Sequence, residues 1–249
     1  MKTDEARWTE IEHLPEWDEE YYDVYTAKKL GKWVMLKTLK HQFKDDPEMQ
    51  LMLEHEFDVR YNLCHPNIIL VTDYEDVPGV GRSIIFDDVY GDSLAKLLDE
   101  GKVTPEHVEK LKTQLVSAME YIQYNHLEHQ PLSTKNIIFT ENVGNLKLID
   151  VGFNQRKSLS HQDTTDDVQN YGFVIQEVLR RTGIQDSHLA KVAARCADEK
   201  INYGNAHRLR VALANRSTNR LYLLIIAFLV VMVAVLIILS ICPPTPLNQ

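Results

Sequence analysis

The sequence predicts an α+β fold of two lobes, followed by a single C-terminal transmembrane helix. Three observations carry this expectation. β-rich runs crowd residues 17–89, helical patterns dominate residues 90–215, and the run LYLLIIAFLVVMVAVLIILSIC over 221–242 holds no charged residue. A small β-rich part ahead of a larger helical part makes two packed units of an α+β architecture. A helix over 221–242 would cover the roughly 30 Å hydrocarbon core of a bilayer.

Taken in order, residues 1–16 read as an acidic N-terminal segment. YYDVYTAKK and KWVMLKTLK are rich in β-forming residues and meet at Leu30–Gly31, so they read as a hairpin. PEMQLMLEHEFDVRYNL follows Asp46 and opens on Pro47, a helix-start signal ahead of apolar residues at helical spacing. NIILVTDYED and RSIIFDDVY are strands on either side of Pro78–Gly79. After Gly91 the pattern turns helical, through SLAKLLDEG and then TPEHVEKLKTQLVSAMEYIQYNH. Thr104 and Pro105 suit the cap and first turn of the second of these. NIIFT and NLKLID form a short β pair, and DDVQNYGFVIQEVLRRTG, HLAKVAARCADEK and NAHRLRVALAN complete the helical part. Residues 216–220 connect to the span over 221–242, and residues 243–249 form a short tail.

Composition excludes some functions. A formal net charge of −9 argues against general nucleic-acid binding. Cys64, Cys196 and Cys242 are scattered, which fits a reducing compartment rather than a disulfide framework. No apolar run near the N-terminus suits a signal peptide. Arg208, Arg210, Arg216 and Arg220 precede the apolar span and no Lys or Arg follows it. Basic residues resist translocation, so the expected arrangement is a single-pass membrane protein with its folded domain cytoplasmic.

Motifs on these elements carry a family resemblance. Val34-Met35-Leu36-Lys37 resembles the V-A-I-K strand of protein kinases, with Glu56 on the following helix and Leu63-Cys64-His65-Pro66-Asn67-Ile68 resembling L-x-H-P-N-I. Ile84 to Val89 resembles the fifth strand and hinge, with Phe86 at the gatekeeper place. Asn136 resembles the catalytic-loop Asn, Asp150-Val151-Gly152 resembles D-F-G, and Asp167-Val168 with Tyr171-Gly172 resembles D-V-x-S-x-G. The matches run in family order over residue 17 to about 215. They imply a protein-kinase-like fold with a reduced large lobe.

The resemblance implies nucleotide contacts from Lys37, Glu56, Phe86, Asp87 and Val89, and Mg²⁺ ligation by Asn136 and Asp150. Each keeps a plainer alternative. Lys37 and Glu56 could form a purely structural ion pair, and Asp150 could cap a turn before Gly152. Other parts of the family machinery are missing. Counted back from Val24, the three glycine places hold Trp17, Glu19 and Tyr22, whose side chains keep the backbone away from phosphates. Aligned on Asn136, the catalytic Asp place holds Pro131, which cannot accept a proton, and the following Lys place holds Ser133. His129 reads as a packed loop histidine. Only residues 153–166 separate Gly152 from Asp167, with no A-P-E, and Ser158, Ser160, Thr164 and Thr165 there read as a solvated loop. The stretch from Arg180 to Lys200 is too short for all the large-lobe helices.

The expected function is that of a membrane-anchored pseudokinase with a regulatory role, a protein partner, and ATP and Mg²⁺ held weakly. Two other readings stay open: a divergent active Ser/Thr kinase, and a membrane scaffold that needs no nucleotide.

Overall fold

The computed structural model of the chain describes residues 7–141, 144–214 and 223–233. The small lobe is a five-stranded antiparallel sheet in the order β1-β2-β3-β5-β4 with one helix against it. Its elements are β1 (Trp8–His13), β2 (Tyr22–Lys29), β3 (Lys32–Leu39), α1 (Pro47–Tyr61), β4 (Val71–Val77) and β5 (Gly81–Asp87). The turn at Leu30–Gly31 and the break at Pro78–Gly79 fall where the sequence places them. Residues 1–16 are not merely an acidic segment, because β1 lies inside them and pairs with β2. Its acidic residues Glu10 and Glu12 flank Ile11 and are exposed on an edge strand, which is how charge suits a sheet edge.

Strand β3 occupies the centre, and its register sets Lys37 opposite Val24 on one side and Ile84 on the other. The side chain of Lys37 is therefore buried between two strands and α1. Helix α1 starts where expected, with the Asp46 carboxylate accepting from the Glu48 and Met49 amides. Its buried face is not its apolar one. Leu53, Glu56 and Arg60 point inward, while Leu51 and Met52 are exposed.

The large lobe contains β6 (Gly91–Ser93), α2 (Leu94–Asp99), α3 (Pro105–Lys110), α4 (Val116–Tyr124), β7 (Leu127–His129), β8 (Ile137–Thr140), β9 (Leu146–Leu148) and β10 (Val151–Gln155). It ends in α5 (His161–Thr182), α6 (Ser187–Ala197) and α7 (Ala206–Ala214). Helices α3 and α4 form one rod joined by a π-turn over Leu111–Leu115, as the single pattern from Thr104 implies. Leu94, Leu111, Leu115, Ile122, Tyr171, Ile175 and Leu189 fill the core between them. Burying each large apolar side chain contributes about 1.5–3 kcal/mol before chain entropy is counted. Gly172 is required at the α5–α6 crossing, since a Cβ there would sit 2.7 Å from the Cys196 Cβ.

The Ser/Thr-rich stretch is only partly a loop. Ser160 caps α5 in a reciprocal box with Asp163, so Thr164 and Thr165 lie in the first turns of the helix. Such a cap contributes about 1 kcal/mol, enough to extend the helix upstream of its apolar stripe. The lobes are joined through Asn67, whose carbonyl accepts from the Leu148 amide and whose side chain donates to the Leu146 carbonyl at 2.9 Å.

Half of the apolar run over 221–242 lies outside the described residues. Within it, residues 223–233 are helical with their apolar side chains exposed. Among the described residues no helix is long and apolar enough to cross a membrane.

Candidate functional site

The cleft between the lobes is built around Lys37. Its ammonium donates to Glu56 on α1 at 3.1 Å, so the pair expected from the sequence is formed. Glu56 also accepts from Arg60 one turn later, at 2.5 Å. One buried carboxylate thus serves two buried cations. The Arg60 guanidinium lies 4.7 Å from the centre of the Phe86 ring and 5.7 Å from that of Phe153. Arg60 was not among the expected site residues. The spacing Glu56-x-x-x-Arg60 carried the signal, since residues four apart share a helix face.

The second partner of Lys37 comes from the loop that replaces the glycines. Glu19 brackets the ammonium with both oxygens, at 2.8 and 2.9 Å. The ring of Tyr22 lies 4.2 Å from the same nitrogen. Trp17 lines the cavity beside Lys37 with Glu19, Val24, Met35, Phe86, Ile149 and Asp150. Of the three side chains in the glycine places, Trp17 and Glu19 therefore line the Lys37 cavity and Tyr22 packs on the Lys37 ammonium.

That cavity measures about 50 Å³. A site for a drug-sized ligand occupies roughly 300–1,000 Å³. Trp17 and Met35 also line a second space of about 420 Å³ on the hinge side, bounded by Asp88 and Val89. The cleft is thus divided where a nucleotide would have to be continuous. Asp87 lies outside the Lys37 cavity, and its amide donates to the Leu70 carbonyl at 3.0 Å.

Asp150 does line the Lys37 cavity. Burial pushes its carboxyl pKa up, and the charge of Glu19 pushes it further, against the opposing pull of Arg60 and Lys37. It takes a positive φ of 59°, and Gly152 follows at 89°. A Cβ on Gly152 would meet Leu63 and Arg60 side-chain carbons at 2.8 and 2.9 Å, so α1 packs directly on this turn. Asn136 is engaged elsewhere. Its side-chain oxygen accepts from the Ser133 amide at 3.0 Å and its nitrogen donates to the Pro131 carbonyl at 3.1 Å. These bonds close the loop around Pro131. A Mg²⁺-triphosphate does not fit the arrangement as it stands: the Lys37 ammonium is already bracketed and Asn136 is committed to its own loop.

Pro131 lines another space, of about 320 Å³, together with Arg156, Asp163, Asp166 and Asp167. Beside it His129 forms a clamp. Its Nδ1 lies 2.7 Å from the Gln130 carbonyl and its Nε2 lies 2.9 Å from Asp167. Both ring nitrogens face acceptors, which suits the imidazolium. Burial lowers the pKa of this ring, but the hydrogen bond and charge of Asp167 and the Gln130 carbonyl outweigh burial, and the pKa stands above the ordinary 6.5. A folded value above the unfolded one contributes stability that is complete below the unfolded pKa and lost as pH rises through the folded pKa. The urea midpoint of the wild type is therefore expected to fall as pH rises from about 6 through the folded pKa. His129→Gln should lower the midpoint at about pH 6 and flatten that dependence. An unchanged slope would show that the clamp does not titrate.

Comparison with known proteins agrees with this architecture. Residues 20–190 match the protein kinase domain family. The chain belongs to the protein kinase family. Within it, the sequence is 31% identical over 137 residues to a probable serine/threonine-protein kinase of Streptomyces coelicolor, covering 52% of this chain and 20% of that protein. It is 28% identical over 167 residues to CBL-interacting serine/threonine-protein kinase 5 of Arabidopsis thaliana, covering 64% of this chain and 37% of that one. The chain thus spans well under two thirds of these relatives. The solved kinase domain of Mycobacterium tuberculosis PknI superposes with a TM-score of 0.60 at 19% identity, over 85% of this chain and 97% of that one. That likeness concerns the fold.

Proposed function

We propose that this kinase domain is a membrane-anchored pseudokinase, acting by binding a protein partner rather than by transferring phosphate. The observation that carries this is Pro131, which stands where the family places its proton acceptor, in a loop closed by Asn136. The divided cleft supports it, because a bound triphosphate would have to displace Glu19 from Lys37. ATP is on this reading a weak ligand, with a Kd in the micromolar-to-millimolar range, or about −8 to −4 kcal/mol. Titrating the purified chain with ATP and Mg²⁺ while following its melting point tests this, since a ligand of the folded state alone must raise it. No shift at any concentration favours the nucleotide-independent scaffold. The divergent active kinase remains the second reading, favoured by the formed Lys37–Glu56 pair and by Asp166, a carboxylate on the same space as Pro131.

The anchor rests on the charge-free run over 221–242 and the arginines before it. The domain is cytoplasmic on this reading, with residues 243–249 on the far side. Deleting residues 220–249 should release the protein from sedimented membranes, and protease applied outside intact cells should spare the domain. Continued pelleting of the truncated chain, or rapid digestion from outside, would refute the topology.

A further inference from the structure

We infer that Glu19 is a built-in occupant of the anion-binding position at Lys37, and that a phosphate-bearing ligand enters this cleft only by displacing it. This rests on the proposed weak nucleotide binding and specifies how that binding is restrained.

The loop over residues 14–21 is shaped to deliver the carboxylate. The Trp17 amide donates to the Leu14 carbonyl at 2.9 Å, closing a 3-10 turn, and the Glu19 amide donates to the Tyr22 carbonyl at 3.0 Å across the bend that follows. Asp18 ties the turns to the strands on both sides. One of its oxygens accepts from the Val24 amide at 2.9 Å and lies 3.0 Å from Nε2 of His13. With Asp18 anchored outward, the next side chain is committed to the cleft. Glycines at these places would leave the backbone free to wrap phosphates, whereas here a side chain takes the phosphate's place.

Charge decides what can follow. Lys37 and Arg60 are cationic and Glu56 and Glu19 are anionic, so these four groups sum to zero within the cleft. A further anion added to them would face Glu19 and Asp150, with Lys37 and Arg60 both already paired. An anion that replaces Glu19 would instead inherit Lys37. Of the two carboxylates on Lys37, Glu19 is the one able to leave. Its side chain is 33% exposed, whereas that of Glu56 is 4% exposed and is also held by Arg60. A partly exposed, singly paired carboxylate on a loop is the weaker competitor of the two, because solvent screens it more than it does Glu56.

The test uses the full chain in detergent with Glu19→Gln, and Glu20→Gln as control, since Glu20 is an exposed neighbour of equal charge. Mg·ATP and inorganic pyrophosphate are titrated against each by thermal shift. The expected result is at least about tenfold tighter Mg·ATP binding by E19Q and little change for E20Q, tenfold being 1.4 kcal/mol. Wild-type binding that E19Q leaves unchanged overturns the occupant role while sparing the nucleotide reading. Equal gains in both variants also overturn it, as an effect of net charge. Binding by no variant overturns the nucleotide reading and this inference together. A second readout needs no ligand: amide hydrogen exchange at Trp17 and Glu19 should quicken in E19Q, and exchange as slow as in the wild type counts against the contact holding the loop.

Discussion

Replacing Glu56 by alanine is expected to destabilise the domain by about 3–5 kcal/mol, the usual cost of leaving a buried charge without its partner. Here the cost concerns two charges, because Glu56 accepts from both Lys37 and Arg60, and all three side chains are only 4% exposed. Arg60 would lose its only carboxylate among the contacts described, and Lys37 would keep Glu19 alone. A shift of this size takes a large share of the 5–15 kcal/mol that holds a typical domain together. Urea denaturation followed by circular dichroism measures it. Glu56→Leu combined with Arg60→Met should recover much of the loss, since an apolar pair of similar volume replaces a buried ion pair at little cost. A loss below about 1 kcal/mol in the single variant would mean that water reaches the cluster and screens it.

The second large effect concerns catalysis. The wild-type chain is expected to transfer no phosphate from ATP to a generic protein substrate above background. A general base contributes about 10²–10⁴-fold and Pro131 supplies none. Pro131→Asp alone should not restore transfer. The variant would regain a carboxylate, yet Glu19 would still bracket Lys37 at 2.8 Å and Asn136 would still be bonded to its own loop. Misplacement of the reacting groups can by itself cost about 10²-fold. The short segment before α5 adds to this, because residues 161–166 are already helix and leave little chain for a substrate ledge. Purified protein is assayed with labelled ATP, with Asp150→Ala as control. Robust transfer by the wild type that disappears in the control would establish the divergent active kinase instead.

Read in order, the sequence was enough to identify the family and to lay out most elements. Lys37, Glu56, the L-C-H-P-N-I stretch and Asp150-Val151-Gly152 are short local patterns, legible because each depends on neighbours a few residues away. The hairpin at Leu30–Gly31, the helix start at Asp46–Pro47 and the cap at Thr104 were legible for the same reason. The strand β1 was not, because its acidic residues look like a solvated tail until β2 offers a pairing edge. The start of α5 was missed too, since a polar capping box carries no apolar periodicity.

The state of the cleft was decided only by tertiary structure. In the sequence, Glu19 and Lys37 lie eighteen residues apart and nothing local joins them. The sheet register brings the loop back over β3, and Asp18 turns the next carboxylate inward. In the same way, α1 turns Glu56 and Arg60 inward and leaves Leu51 and Met52 in solvent, against what hydrophobic spacing alone suggests. Local pattern determines which residues are present and which elements they form. Whether a buried cation awaits a ligand or is already matched by a carboxylate depends on charges that meet only once the chain has folded, because electrostatic pairing acts through space and not along the sequence.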